Sequence, residues 1–350
     1  MPKSLLLAAA GKVATPWQGS FRCRDWRGII IWAAIYGGVR EIHFQPIVLD
    51  DKPLFDRAFR QGRFETAESC FTTLYMWRNA FSIERTVVDG FLCCKACRDG
   101  RTFLLPPYPL EPEALAPEAL GRVLMRYQDY FRQLGLPFLM KGVPRAAAEK
   151  MRALLPASFV CLPDLDNFDY VYLRQDLAEL KGRRYHGKRN HIKVFEATYP
   201  DHEFFPITPD LIQDCIGFAD EWCRRRNCGD NADLAYERDA IVDVLEHFSL
   251  LGVTGLVLTV GGRIEAFSFG EPLNSDTIVV HAEKGNAEIR GIYQMINREF
   301  CRIWPAEYVY VNREEDMGVP GLREAKRSYH PVMLVEKYVV AAEWKADTDG

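Results

Sequence analysis

The chain has 350 residues, of which 48% are hydrophobic and 26% are charged, with a net charge of −4 and a pI near 6.0. This is ordinary globular composition, and the length suits two domains or one large one. The near-neutral charge argues against a globally basic nucleic-acid-binding protein, so any such contact needs a local patch. The longest apolar run, residues 28–39, is shorter than the about 20 residues that span a bilayer.

Residues 1–42 are predicted to form a poorly ordered extension, and translated upstream sequence is one interpretation of them. Among the ten cysteines, Cys94 and Cys97 form one C-x-x-C, and Cys223 and Cys228 lie five apart. A zinc ribbon needs two such pairs at suitable spacing, because four ligands close the tetrahedron. We therefore predict no metal site and expect reduced thiols.

The first half of the chain, residues 43–165, predicts one unit of strands and helices. A tight-turn pair, Asp89-Gly90, joins two β-rich runs, which is the pattern of a hairpin. The predicted strands are 44–48, 83–88, 91–96, 102–105, 138–141 and 159–162, and the predicted helices lie within 50–81 and at 112–134 and 145–155.

The second half, residues 166–340, predicts the same order of elements, and residues 341–350 are a tail. Thr208-Pro209-Asp210 has the residue types that begin a helix: an N-cap threonine, a proline and an acid. Gly261-Gly262 predicts a second hairpin. The predicted strands are 203–207, the two runs flanking this turn, 276–282, 307–311 and 332–340, and the predicted helices are 208–227, 233–251, 290–303 and 321–329.

Short echoes accompany this common order, such as Val88-Asp89-Gly90 against Val260-Gly261-Gly262. Repetition of element order together with sequence favours a duplicated domain. The predicted fold class is α/β (α+β), with mixed, largely antiparallel sheets flanked by helices. It resembles the GNAT acyltransferase fold used twice in tandem.

The most specific pattern is NREEDMGVPGLREAKRSYHP at residues 312–331, in which GLR-x-x-K is followed by an aromatic residue and a proline. It resembles the C-terminal catalytic domain of phosphatidylglycerol lysyltransferases, in a bacterial branch of that family. The segment KRNHIK, residues 188–193, is also similar to that branch and more loosely to Fem-type peptidyltransferases. The resemblance covers about residues 43–340.

This resemblance implies two GNAT-like folds and transfer of an aminoacyl group from aminoacyl-tRNA to a lipid hydroxyl or a peptidoglycan amine. Two departures bear on the acceptor: HAEKGNAEIRG, residues 281–291, is not the lysyltransferase form, and this sequence contains no multi-helix membrane domain. The acceptor therefore stays open among a lipid, a peptide and a small molecule. We expect a cytoplasmic protein, with attachment to the inner membrane face left open.

Acyl transfer needs a base for the attacking group and donors for the tetrahedral oxyanion. We predict this site where strands 276–282 and 307–311 splay. Glu283, as base or amine anchor, is predicted to be catalytic together with Asn312 and Lys326. The predicted substrate-binding residues are Lys284, Arg290, Gly291, Arg313, Glu315, Asp316, Arg323 and Tyr329.

Each of these predictions has a structural alternative. In that alternative, Glu283 is a solvated carboxylate at a strand end. Arg290-Gly291 is an ordinary helix start instead of a phosphate cradle, and the helix that carries Arg323 and Lys326 is a solvated surface helix. If the site prediction is right, replacing Lys326 or Arg323 with alanine should abolish transfer and barely change the thermal midpoint. His281 and His330 are expected to be structural histidines.

Residues 181–193, KGRRYHGKRNHIK, hold six Lys or Arg and two His. Basic clusters with aromatic residues can follow a phosphate backbone, and the alternative is a charged linker between the halves. The predicted phosphate or RNA contacts are Arg183, Arg184, Lys188, Arg189 and Lys193.

The leading hypothesis is an aminoacyltransferase with charged tRNA as donor and partner, and no cofactor is expected. Acyl-coenzyme A is the alternative donor, although no fuller glycine-rich pyrophosphate loop is found. A non-catalytic protein that binds RNA or an acidic metabolite is the third hypothesis.

Overall fold

A computed structural model describes residues 42–155 and 159–342 of the chain. The predicted extension lies outside the described residues except for Ile42, and the predicted tail lies outside them from residue 343 onward. The described residues other than 99–101 belong to one compact unit. In the two described ranges, every helix is either too short or too polar to cross a membrane.

The first sheet is built mainly from the first half of the chain. Strands β2, β3 and β4 are neighbours, and after helix α3 the chain returns as β6, parallel to β4. Pro117 begins α3, at a position where the backbone N–H would have no partner within the helix. The apolar residues of α3 recur every three or four positions and are buried. The elements are β1 (Gln45–Pro46), α1 (Lys52–Phe59), α2 (Phe71–Met76), β2 (Glu84–Val88), β3 (Phe91–Arg98), β4 (Arg101–Leu104), β5 (Tyr108–Pro109), α3 (Pro117–Gln133), β6 (Leu139–Pro144), α4 (Arg145–Leu154) and β7 (Phe159–Pro163).

The second sheet repeats this plan. Strands β10, β11 and β12 form an antiparallel meander, and after helix α10 the chain returns as β13, parallel to β12. The elements are β8 (Asp169–Leu173), α5 (Arg174–Glu179), α6 (His186–Thr198), β9 (Glu203–Pro206), α7 (Ile212–Arg225), α8 (Ala232–Glu246), α9 (Phe248–Leu251), β10 (Thr254–Val260), β11 (Arg263–Pro272), β12 (Thr277–Gly285), α10 (Ile292–Arg302), β13 (Tyr310–Asn312), α11 (Pro320–Arg327), β14 (Met333–Val335) and β15 (Lys337–Ala342).

The predicted fold class is therefore confirmed: two GNAT-like folds in tandem, each with a mixed, largely antiparallel sheet and flanking helices. Each sheet contains an antiparallel meander and one parallel pair of strands, and a helix connects the two strands of that pair. Helices α6 and α10 share a core with one face of the second sheet, while α7, α8 and α2 share a core with its other face.

One strand passes from the second half of the chain into the first sheet. The first sheet has the order β1-β2-β3-β4-β6-β15-β7, and the second has the order β14-β8-β13-β12-β11-β10-β9. Strand β15, from the end of the chain, lies between β6 and β7, and β8 lies between β13 and β14. The range 166–340 supplies every strand of the second sheet, whereas the first sheet takes β15 in addition to the strands of 43–165. The two predicted domain ranges stay a prediction.

Four local expectations are corrected. The predicted strand 332–340 is two strands that join different sheets, because the chain passes from one to the other at Glu336. Strand β8 was not predicted. Most of the basic segment lies in helix α6, so it is not a linker. Cys223 and Cys228 form a disulfide, so the expectation of reduced thiols is wrong for this pair.

Candidate functional site

Strands β12 and β13 part at the position where the sequence predicts the site. Their parallel pairing runs from Thr277 opposite Tyr310 to Val279 opposite Asn312 and stops there. Strand β12 continues to Gly285, whereas the chain after Asn312 turns away. Side chains beyond the last pair therefore face a gap between two neighbouring strands.

A β-bulge in β12 directs side chains from this gap to both faces of the sheet. Phe269 pairs with Ala282 and Gly270 pairs with Val280, so His281 is an extra residue. A Cβ at Gly270 would lie 2.0 Å from the carbonyl oxygen of Val279, which explains the glycine. Because of the bulge, His281 and Glu283 contact groups on opposite faces despite being two residues apart.

On the face covered by α10 and α6 lies the Glu283 cluster, formed by Glu283, Arg313, Asn297, Tyr329 and Lys188. Arg313 Nη2 lies 3.0 Å from one carboxylate oxygen of Glu283, and Asn297 Nδ2 donates to the other at 3.0 Å. The Arg313 guanidinium lies 5.0 Å from the centre of the Tyr329 ring, and the Lys188 ammonium lies 3.9 Å from it. The structure thus brings together four of the residues predicted from sequence.

Three buried polar atoms in the Glu283 cluster have no hydrogen-bond partner among the described residues: Arg313 Nη1, the Tyr329 hydroxyl and Asn297 Oδ1. Most buried polar atoms in native proteins are satisfied, so such a concentration needs an explanation. Two donors and an acceptor beside a carboxylate are what a polar ligand would use. Burial, with the charge of Arg313, lowers the pKa of Lys188 to about 8.

On the opposite face lies the His281 cluster, formed by His281, Cys70, Glu271, Glu314 and Thr73. His281 Nε2 lies 3.1 Å from Glu271 Oε1 and 3.9 Å from the Cys70 sulfur. Its Nδ1 lies 3.4 Å from Glu314 Oε1 and 3.5 Å from the Thr73 hydroxyl. Burial alone would lower the pKa of His281, but these hydrogen bonds outweigh it and raise that pKa well above its usual value.

Behind the gap, a buried ion network joins the two halves. Lys337 Nζ, on β15, lies 2.7 Å from both Glu68 and Asp169 and 3.5 Å from Glu315. The Asn312 amide, fully buried, donates to Asp169 at 3.1 Å. This network fixes the end of β13, and it favours a positioning role for Asn312 and Glu315 rather than contact with substrate.

Lys326 anchors the loop that follows β13. Its ammonium donates to the carbonyl oxygens of Arg313 at 2.6 Å, Glu314 at 3.0 Å and Glu315. A lysine has three N–H donors, and all three are used here. Burial lowers the pKa of Lys326 to about 8. This geometry favours a positioning role over the predicted catalytic role.

Arg323 and Asp316 form the outer layer of the site. Arg323 makes a two-pronged contact with Asp316, with both distances 2.7 Å, and also pairs with Asp166 at 2.6 Å. The Tyr170 hydroxyl donates to Asp316 at 2.6 Å. A cavity of about 530 Å³ borders this pair and is lined by Gly318, Pro320, Arg323, Glu324, Arg327 and Ser328.

Three predicted residues lie elsewhere. Lys284 pairs with Glu237 at 2.6 Å, and Arg290 is exposed. Gly291 begins α10, and a Cβ there would lie 2.5 Å from the His191 carbonyl oxygen of α6. This close helix contact explains the glycine, and it gives no support to the predicted phosphate site.

The predicted phosphate contacts divide into an inner and an outer set. The inner set is Lys188, whose ammonium contacts the Tyr329 ring. In the outer set, Arg189 donates to the Gly182 carbonyl at 2.7 Å and Arg184 pairs with Asp176 at 2.6 Å. Arg183 and Lys193 are exposed, and neither has a polar partner within the described residues.

Sequence reasoning missed Cys70, Glu271, Glu68, Asp169 and Lys337. Glu271 lies ten residues from His281, on the neighbouring strand, whereas the other four lie far along the chain from their partners. No local motif marks any of the five. His281 was expected to be a structural histidine, yet it lies at the gap itself. Its position two residues before Glu283 was the available signal.

Comparison with known proteins agrees with this architecture. The profile of the family described as phosphatidylglycerol lysyltransferase, C-terminal, matches residues 59–341. No curated protein matches the chain. A conserved protein of unknown function from Bacteroides thetaiotaomicron is 38% identical, with a TM-score of 0.79 over 86% of this chain and 100% of that one.

Two further solved structures show the same fold at 13% identity. L-PGS from Bacillus licheniformis aligns with a TM-score of 0.60 over 88% of this chain and 96% of that one. The C-terminal domain of a putative lysylphosphatidylglycerol synthetase from Agrobacterium fabrum aligns with a TM-score of 0.58 over 86% and 94%. The resemblance first seen in the GLR-x-x-K segment is confirmed: the chain belongs to the phosphatidylglycerol lysyltransferase C-terminal family.

Proposed function

We propose that this protein transfers an aminoacyl group from aminoacyl-tRNA to an amine or hydroxyl acceptor, at the gap between β12 and β13. Family and fold make the chain an acyltransferase; the donor and the acceptor are the proposal. The observation that carries it is the Glu283 cluster, in which a carboxylate and a guanidinium lie 3.0 Å apart and three buried polar atoms lack a hydrogen-bond partner in the part of the chain that the structure describes.

The chemistry required of these residues is limited. The acceptor amine or hydroxyl attacks the ester carbonyl, Glu283 takes its proton, and the oxyanion that forms accepts from Arg313 Nη1. When the intermediate collapses, the carbonyl–ribose bond breaks and the proton passes to the departing ribose oxygen. Glu283 retains lone pairs beyond its two present bonds, so it can also anchor the ammonium of the aminoacyl group.

A path of cations supports an RNA donor. Arg323 and Arg327 line the surface cavity, together with Ser328. The Ser328 hydroxyl accepts from Lys188 at 2.7 Å, and Lys188 contacts the ring of Tyr329, next to Arg313. A phosphate-bearing 3′ end could follow this path inward, while the exposed Arg183 and Lys193 contact phosphates further out.

Two alternatives have less support. An acyl-coenzyme A donor would need the N-terminus of α10 to accept a pyrophosphate, and Gly291 there is explained by its close contact with the His191 carbonyl of α6 rather than by a phosphate. A non-catalytic protein could use the same groups to bind a polar ligand, but it has less support because the family is that of a transferase. Both remain outcomes of the test below.

The test uses bulk tRNA charged with radiolabelled amino acids and incubated with the protein and fractionated cell extract. Label should move to a ribonuclease-resistant product in the lipid, peptide or small-molecule fraction, which also identifies the acceptor. Glu283→Gln should lower the rate about 10²–10⁴-fold. Because Arg313 loses the charge of its partner, circular dichroism must show that the assayed variant is folded. The matched control is Glu288→Gln, at a carboxylate that is 84% exposed, and it should have no effect.

Two results would refute the proposal. One is tRNA binding without transfer to any fraction, which would leave a binding protein. The other is labelled product from acetyl-coenzyme A and none from charged tRNA.

A further inference from the structure

The His281 cluster is not needed for the transfer chemistry proposed above, and its donor atoms converge. The Cys70 sulfur, Glu271 carboxylate and His281 imidazole offer one ligand atom each, and no two of these atoms are more than 4.8 Å apart. Glu271 on β11 and His281 at the bulge in β12 lie on neighbouring strands, and Cys70, the residue before α2, comes from 211 residues earlier than His281. We propose that they bind a zinc ion.

The separations suit that ion. Zn²⁺ binds sulfur at about 2.3 Å and imidazole nitrogen and carboxylate oxygen at about 2.0–2.2 Å, so tetrahedral ligands lie about 3.3–3.7 Å from each other. The distances from His281 Nε2, 3.1 Å to Glu271 and 3.9 Å to Cys70, bracket that range.

Competition for one nitrogen also points to a metal. Cys70 and Glu271 both approach Nε2 of His281, which can carry one proton at most. A thiol–imidazole pair built for nucleophilic attack would leave that nitrogen to the thiol alone. A cation placed among the three atoms satisfies all of them.

The other ring nitrogen has the partner that metal sites usually provide. Nδ1 of His281 lies 3.4 Å from the Glu314 carboxylate and 3.5 Å from the Thr73 hydroxyl. A ligating histidine commonly donates its free N–H to a carboxylate, which fixes the tautomer and orients the ring. Glu314 is therefore a positioning residue.

Charge balance supports the same conclusion. A thiolate, a carboxylate and a neutral imidazole together offset the two positive charges of the ion, which makes the set neutral inside a buried site. The His281 side chain has no exposed surface, so an unbalanced charge there would be costly. Three protein ligands leave a fourth position open, as in catalytic zinc sites, at the same parting of strands that holds the Glu283 cluster.

The test is metal content, which does not depend on the transfer reaction. The full chain, purified without chelators, is measured by inductively coupled plasma mass spectrometry, then stripped and titrated with Co²⁺. We expect about one zinc per chain and a thiolate-to-cobalt charge-transfer band. Cys70→Ser and Glu271→Gln should each lower metal retention at least tenfold, and Cys70→Ser should abolish the band.

Cys215→Ser is the matched control, because Cys215 is a free, fully buried thiol on α7; it should retain both metal and band. If Cys70→Ser does not fold, as judged by circular dichroism, Glu271→Gln decides the question. The proposal is overturned if the wild-type chain takes up no stoichiometric metal after loading. It is equally overturned if both ligand variants retain the ion.

Discussion

Replacing Lys337 with methionine tests the buried ion network that joins the two sheets. The Lys337 and Asp169 side chains are completely buried and lie 2.7 Å apart, and Glu68 lies at the same distance from the ammonium. Removing one partner from a buried pair leaves uncompensated charge and costs about 3–5 kcal/mol. We expect Lys337→Met to lower the free energy of unfolding at pH 8 by that amount.

The loss should shrink on acidification. Burial raises the pKa of Glu68 to about 7 even with Lys337 present, and loss of the cation raises it further. Below that pKa the folded state binds a proton and the uncompensated charge falls, so the variant regains stability as the pH drops from 8 to 6.

Urea unfolding followed by tryptophan fluorescence measures both effects, with the exposed Lys150→Met as control; it should change stability by less than about 0.5 kcal/mol. The double variant Glu68→Gln/Lys337→Met should lose less stability than the sum of the two single variants. A loss below about 1 kcal/mol at pH 8, or a loss that grows on acidification, would refute the buried-charge argument.

Three further predictions concern the site. Hydrogen bonds from Arg323 and other donors outweigh burial and lower the pKa of Asp316 to about 2, so Asp316→Asn should lower the free energy of unfolding by about 2 kcal/mol above pH 4. In acid titrations, the difference in stability between variant and wild type should disappear as the pH falls to 2. A difference that stays constant would refute this. Lys326→Met leaves three carbonyl oxygens unpaired, so the thermal midpoint should fall with a loss of about 2–4 kcal/mol, contrary to the sequence-based expectation of an unchanged midpoint; calorimetry decides. Gly291→Ala places a Cβ against the His191 carbonyl at a φ of 90° and should cost about 2–4 kcal/mol in urea unfolding; an unchanged midpoint would contradict the packing.

Local signals predicted much of the fold. The turn pairs Asp89-Gly90 and Gly261-Gly262 lie where both residues have positive φ, and each joins two antiparallel strands as expected. The parting of β12 and β13 also lies where strand ends were predicted. These features depend on residues close together in the sequence, so a pattern in a short window can reveal them.

The neighbours of β8 and β15 could not be predicted in this way. The aromatic and apolar residues of β8 are typical of a β-strand. Residues 169–173 carry no local pattern that predicts pairing with β13 and β14. The run 332–340 is interrupted only by Glu336 and Lys337. A charged pair of this kind does not by itself reveal that the chain passes there from one sheet to the other. Partner choice is a property of the whole topology rather than of the segment.

The candidate site was predicted in part for the same reason. Glu283, Arg313 and Tyr329 were chosen from strand ends and from the family pattern, and they do meet. Lys326 was chosen from the same pattern, but its role depends on three carbonyl oxygens that the sequence does not reveal. Cys70 comes within reach of His281 only because the first half packs α2 against the second sheet.

The placement of β15 also has a consequence for synthesis of the chain. Until residues 337–342 leave the ribosome, β6 and β7 lack the strand that pairs with both of them. The roughly 170 intervening residues take about 10–35 s to translate at 5–20 residues per second. Through that interval the nascent first sheet presents two open edges, which are the surfaces that invite wrong pairing with other chains. Chaperone demand should therefore concentrate on ribosomes from which residues 337–342 have not yet emerged.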